Sequence, residues 1–221
     1  MLGMKPLFKL ILMLLLCFGT VFVAMRIFGV LTLADIEAWL AAAQHVNPVM
    51  VALVIIALLC ADLFITVPTL GVALLAGYLL GVGAGMASVA IGIGSAGLIG
   101  YALGARWGAT VIRTFIRDPD ERTAIISQFH RHGGAMIILA RAAPMLPEIT
   151  SCLAGATRLS LRRFLLFFVL GNGPYVALTV YAGAVSDRDN PMPALYVILL
   201  VYAVTWMGWL IMRRVWRRQA G

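Results

Sequence analysis

Between Val49 and Trp107 the chain is apolar almost without interruption, broken only by Asp62, by Thr66-Val67-Pro68 and by scattered glycines, until Arg106. A helix crosses the hydrocarbon of a bilayer with about 20 residues. One straight helix of this length is therefore excluded, and the run must fold as a helix pair or broken hairpin followed by a full crossing. Hydrophobic residues make up 62% of the chain and charged ones 12%, more apolar side chain than one soluble core can hide. A bilayer has to supply the remaining apolar solvent.

The net charge of +8 does not indicate nucleic acid, because the basic residues stand at the edges of the apolar runs, where anionic headgroups meet them. A first span is expected from about Leu10 to Val30, uncleaved because no small-residue cleavage site follows it. Two further spans are expected at about Phe164 to Val185 and Ala194 to Met212. Arg106 to His132 is the most polar stretch and reads as an amphipathic connector along the membrane surface. The basic groups at Lys5/Lys9, Arg106 to Arg131, Arg158 to Arg163 and Arg213 to Arg218 belong on the cytoplasmic side, with Asp35/Glu37 and Asp187/Asp189 outside. Both termini are then cytoplasmic. This balance holds only if Gly133 to Gly155 enters and leaves on the same face, and by the same logic the stretch around Pro68 is a hairpin entering from the opposite face.

The expected fold is thus an all-α polytopic membrane protein, with about four full crossings and two opposed re-entrant hairpins. Residues 1–48 form the first span and outer loop, 49–186 the core, and 187–221 the last span and basic tail. A faint internal repeat supports opposed halves: each has a proline, then Ala-Gly (Ala76-Gly77; Ala154-Gly155), then a glycine-rich crossing with a tyrosine (Tyr101; Tyr175). Gly77, Gly81, Gly85 and Ala96, Gly100, Gly104, Gly108 form two stripes at a spacing of four, each on one helix face, where small side chains let backbones approach. Tight packing explains these stripes without any substrate contact.

Three charges remain at membrane depth: Asp62, Arg141 and Glu148. Each costs a few kcal/mol in hydrocarbon unless paired or lining a wet cavity. Pro68, Pro144 and Pro147 break their helices, and half-helices that begin inside the membrane present free N–H groups and a positive dipole end. With Arg141, the second hairpin offers a place for an anion such as a phosphate. The plain alternative is an Arg141–Glu148 ion pair that pins the hairpin. Glu148 and Asp62 are the candidates for ion coupling.

Little supports an enzyme. There is no GxSxG, no HExxH, no P-loop lysine, and no His within an apolar span. Cys17, Cys60 and Cys152 read as buried small hydrophobes, Ser95 as a packing residue, and His130 and His132 as solvated side chains; neither metal nor cofactor is indicated.

From about Val49 to Val185 the chain resembles the DedA family, the SNARE-associated or VTT-domain membrane proteins. The resemblance rests on Pro68 with Ala76-Gly77-Tyr78 and Gly81, on Gly100-Tyr101 with Gly104, and above all on Arg141-Ala-Ala-Pro144 leading to Ala154-Gly155-Ala-Thr157-Arg158-Leu-Ser160 and Phe164. It implies two opposed re-entrant hairpins and movement of lipids across the bilayer, by a flippase or scramblase, with proton coupling in some members. The chain departs from many bacterial members at Pro147, where they carry a second Arg, and at Thr69-Leu70-Gly71, where they carry an acidic residue. In this it is more similar to the divergent Golgi-protein-like branch, and proton coupling and a polyprenyl-phosphate substrate carry over less readily.

The substrate-binding residues expected are Arg141, Pro144, Pro147, Glu148 and Arg158; the structural ones are Pro68, Gly77, Gly81, Gly100, Gly104 and Gly155. The expected partners are membrane lipids, an anionic phospholipid or a polyprenyl phosphate, with no nucleic acid; a homo-oligomer is compatible with the sequence. A bacterial cytoplasmic membrane is the expected location. Two rivals predict different behaviour: a proton- or sodium-coupled small-solute transporter working through Asp62 or Glu148, and a non-transporting scaffold working through the Arg106 to His132 connector.

Overall fold

The computed structural model describes residues 47–65, 67–115, 118–142, 146–186 and part of 192–207. The first span, the acidic pairs Asp35/Glu37 and Asp187/Asp189, Arg117, Pro144, Cys17 and the C-terminal arginines lie outside the described residues. Within them every regular element is helical: α1 (Pro48–Ala61), α2 (Thr69–Phe115), α3 (Pro119–Leu139), a 3-10 turn (Ala140–Ala142), α4 (Leu146–Ala156) and α5 (Leu161–Ala184). The described residues of 192–207 are helical too.

Local chemistry sets the ends of α1. Asn47 accepts the amide of Val49 at 2.9 Å and Pro48 opens the first turn. The helix is apolar on every side, with Val51, Ile55 and Leu59 buried and Val49, Met50 and Leu53 exposed. At its end the Asp62 carboxylate accepts the Val67 amide at 2.7 Å through Oδ1 and the Thr69 hydroxyl at 2.9 Å through Oδ2. This staples the Asp62–Pro68 turn to the start of α2. The Pro68 carbonyl then accepts from Val72 at 3.1 Å, so the proline begins α2 rather than interrupting a longer helix.

α2 is two helical arms. At Gly81 the backbone takes φ +72° and ψ −176°, a conformation open to glycine and strained for any other residue. The chain doubles back there: a Cβ on Gly85 would stand 2.8 Å from the Ala76 carbonyl oxygen. In a straight helix residues nine apart are separated by about 13 Å. The Gly77, Gly81, Gly85 stripe is therefore not one helix face, because Gly81 is the corner between two arms. Residues 69–80 measure roughly 18 Å and α1 roughly 21 Å, both short of the ~30 Å hydrocarbon core.

The segment Arg106 to His132 is not one surface connector. Its first part completes α2, and a new helix starts at Pro119, capped by Asp118, which accepts the Asp120 amide at 2.9 Å. α3 then runs unbroken through Gly133-Gly134 into the apolar stretch. These glycines do not end the helix, because aromatic rings occupy their faces: Cβ atoms there would meet Phe129 at 2.8 Å and Phe167 at 2.7 Å. Gly133 to Gly155 does break: α3 gives way to the 3-10 turn Ala140–Ala142, and a separate helix, α4, starts at Leu146.

The described residues divide into two compact units. One holds Gly97–Asn172; the other holds the described residues before Gly97 and resumes at Gly173. In the unit with α1, the arm 69–80 packs on the second half of α5. A Cβ on Gly77 would strike the Val180 carbonyl and stand 2.8 Å from the Ala184 nitrogen, and a Cβ on Gly183 would strike Leu74. In the unit with α3, α4 packs on the second half of α2. A Cβ on Gly155 would strike the Tyr101 carbonyl and stand 2.6 Å from the Ala105 nitrogen, and a Cβ on Gly104 would strike Cys152. The pattern is the same: a glycine on the carbonyl of residue i and the amide of i+4, and a second glycine at i+3 on the residue three before the first. The two halves therefore share a contact code. It matches Ala76-Gly77 to Ala154-Gly155 and Tyr101 to Val180, so the pairing of Tyr101 with Tyr175 does not hold.

Within the apolar stretch Thr69–Gly108, the arm after Gly81 is long and apolar enough to cross a membrane, and so is α5 over Leu161–Ala184. α5 leaves Leu166, Val169 and Leu170 exposed at 56%, 62% and 53%, a surface that water would penalise and lipid would not.

Candidate functional site: the broken hairpin of the α3–α4 unit

The hairpin tip is built from helix ends. Arg141 sits in the 3-10 turn after α3, and this turn packs against both α3 and α4. Across the tip α4 begins at Leu146 with Pro147 second and Glu148 third. Pro147 thus stands where a helix tolerates proline, since the first-turn amides have no helical acceptor. Its carbonyl takes the hydroxyls of Thr150 at 3.1 Å and Ser151 at 2.7 Å, which turns these two side chains back onto their own helix. Arg141 and Glu148 are half-buried, and the Nε of one and the Oε2 of the other are enclosed by protein. A carboxylate in the first turn of α4 also complements the positive helix end. Pro144 lies outside the described residues.

Arg158 stands elsewhere. It follows the far end of α4, roughly 15 Å along the helix from Glu148, and it is exposed. Its backbone has φ +58°, the left-handed conformation usually given to glycine. Leu159 donates to the Ala154 carbonyl at 3.0 Å and Arg158 to that of Gly155 at 3.0 Å, the two bonds of a Schellman cap. An arginine held there costs about 1 kcal/mol or more.

This lower end is tied down by side chains. The Tyr101 hydroxyl donates to the Leu159 carbonyl at 2.6 Å, its ring stacks on Phe164 at 5.1 Å, and Phe164 meets Phe168 at 5.3 Å. A ring nitrogen of His130 lies 2.7 Å from the Thr157 carbonyl, so this histidine is exposed but engaged, not merely solvated. Gly100 is buried on the same stretch of α2. Asp62 belongs to the other unit, where its carboxylate holds the turn before α2.

Two polar residues were not singled out from the sequence. Asn172 is 6% exposed in the middle of α5 and donates to the Phe168 carbonyl at 2.9 Å. Two residues on, Pro174 lies inside the helix without an N–H to give. A lone asparagine amid Phe164 to Val185 was the available signal, but it carries no charge. Arg106 was counted only as an interfacial charge, yet its guanidinium lies over the Trp107 ring at 5.5 Å.

The VTT domain family model matches residues 67–185, more than half of the chain. No curated relative and no solved structure matches it. With its apolar crossing-length helices and broken hairpin, the chain belongs to the VTT-domain family, that of the DedA/SNARE-associated proteins, and is a membrane protein.

Proposed function

We propose that this protein moves a phosphate-bearing lipid across the bilayer, as a flippase or scramblase rather than as an enzyme. The observation that carries the reading is Arg141: a guanidinium with its Nε enclosed by protein, in the turn between the apolar end of α3 and α4. Irregular backbone at membrane depth survives only where protein or water surrounds it. A charged side chain at that depth marks a place that a polar headgroup can reach. The helix start of α4 beside this guanidinium offers amides and positive charge to a lipid phosphate, with the tails left in the bilayer.

In this reading the short arms α1 and 69–80 form one re-entrant hairpin and the inner part of α3 with α4 the other. About four full crossings complete an inverted repeat, with both termini cytoplasmic in a bacterial inner membrane. The matching glycine contacts of the two units support a repeat. Anionic phospholipid and polyprenyl phosphate are the candidate substrates. The Golgi-protein-like character of Pro147 and Thr69-Leu70-Gly71 favours phospholipid and passive movement.

The test is reconstitution into liposomes with headgroup-labelled lipid. Wild type moves label between leaflets, and Arg141→Ala does not. Equal movement by both proteins rejects the reading. Dependence on a proton gradient together with Glu148→Gln insensitivity to that gradient favours the coupled-transporter alternative.

A further inference from the structure

A second feature lies on the outside of the α3–α4 unit. A shallow groove of about 570 Å³ is lined by Leu98, Tyr101, Ala102, Ala105, Arg106 and Leu161. Every lining residue belongs to the Gly97–Asn172 unit. Leu98, Ala102, Ala105 and Arg106 fall at helical spacing on one side of α2, so the groove follows the helix axis for roughly 12 Å. Among the described residues its lining is apolar apart from one cation, Arg106, at its end. Leu98 and Leu161 are 42% and 44% exposed, so none of the described residues covers it.

The charged end carries the marks of a membrane–water boundary. Trp107 is 53% exposed, in the kind of amphipathic ring that settles at headgroup level. The Arg106 guanidinium lies 5.5 Å above its centroid, which limits the side chain's freedom and leaves its edge open. Arg162 and Arg163, both exposed, follow Leu161 directly at the start of α5. Positive charge thus gathers at one end of an apolar channel that points along a crossing helix. A phosphate above and one hydrocarbon chain below is the shape and polarity that fit.

We infer that this groove holds a resident anionic phospholipid, its phosphate on Arg106 and an acyl chain along Leu98, Ala102 and Leu161. The site is separate from Arg141 and does not depend on the transport reading. The headgroup over Arg106 brings the first carbons of the bound chain near Trp107, so a lipid brominated close to its headgroup makes occupancy visible to tryptophan fluorescence.

The experiment uses full-length protein in which Trp39, Trp206, Trp209 and Trp216 are replaced by Phe, in phosphatidylcholine vesicles. Phosphatidylglycerol or phosphatidylcholine with acyl chains brominated close to the headgroup is added at matched mole fraction. Brominated phosphatidylglycerol should quench Trp107 with about fivefold higher apparent affinity than brominated phosphatidylcholine. Arg106→Gln should reduce the two to equality, and Arg113→Gln, further along α2, should not. Millimolar glycerol phosphate should fail to relieve the quenching, because it lacks the chain. Equal quenching by both lipids in the wild type overturns the proposal. So does a preference that survives Arg106→Gln, one that Arg113→Gln abolishes equally, or one that free glycerol phosphate competes away. Because Arg106 is exposed, its replacement leaves packing intact, and an unchanged circular dichroism spectrum verifies that.

Discussion

Gly155 lies so close to Ala105 that a Cβ on the glycine would stand 2.6 Å from the alanine nitrogen; Gly77 has the same relation to Ala184 at 2.8 Å. Both contacts are to backbone, which cannot swing away as a side chain can. Gly155→Ala and Gly77→Ala should each force two helices apart and cost about 1–3 kcal/mol. Thermal unfolding in detergent should show two similar losses. Gly83→Ala, where nothing lies within 4 Å, serves as the comparison and should be neutral or raise the midpoint.

Arg158→Gly separates backbone from side chain. Glycine relieves the left-handed conformation and should stabilise the protein by about 1 kcal/mol. If the arginine also contacts lipid phosphate, the more stable variant moves label more slowly. A gain in stability with unaltered lipid movement would assign Arg158 no part in transport.

Tyr101→Phe removes the bond to the Leu159 carbonyl and keeps the ring on Phe164. A loss of about 1 kcal/mol is expected, with the thermal midpoint lowered by roughly 2–4 °C. Tyr101→Ala, which also removes the stack, should cost several times more.

Asp62→Ala leaves the Val67 amide without its side-chain acceptor and the Thr69 hydroxyl with only the longer bond to the Val67 carbonyl at 3.4 Å, and should cost about 1–3 kcal/mol. Asp62→Asn retains an oxygen for Val67 and should be milder. The same variant tests ion coupling: transport that stays gradient-dependent in Asp62→Asn excludes this carboxyl as the coupling group.

The start of a new helix at α4 was legible because its cause is covalent: Pro147 suits the opening turn of a helix and would disrupt an interior one. The Ala-Gly repeat was legible for a similar reason, though only the contacts show which partners it meets. What escaped the sequence depends on neighbours. Gly81 and Gly100 look alike in a stripe, yet one is a corner and the other lies within a helix. Gly133-Gly134 reads as a breaker until Phe129 and Phe167 are seen filling the space beside it. Arg106 looks like any interfacial cation until Leu161, far along the chain, closes a groove around it.

The exchange of halves between α2 and α5 has a consequence for synthesis. Gly77 leaves the ribosome roughly a hundred residues ahead of Val180, its packing partner. At the usual pace of translation the delay is about 5–20 s. Throughout that wait the nascent arm carries an uncovered glycine surface within the insertion machinery, so whatever shields it there, lipid or chaperone, decides how much chain matures.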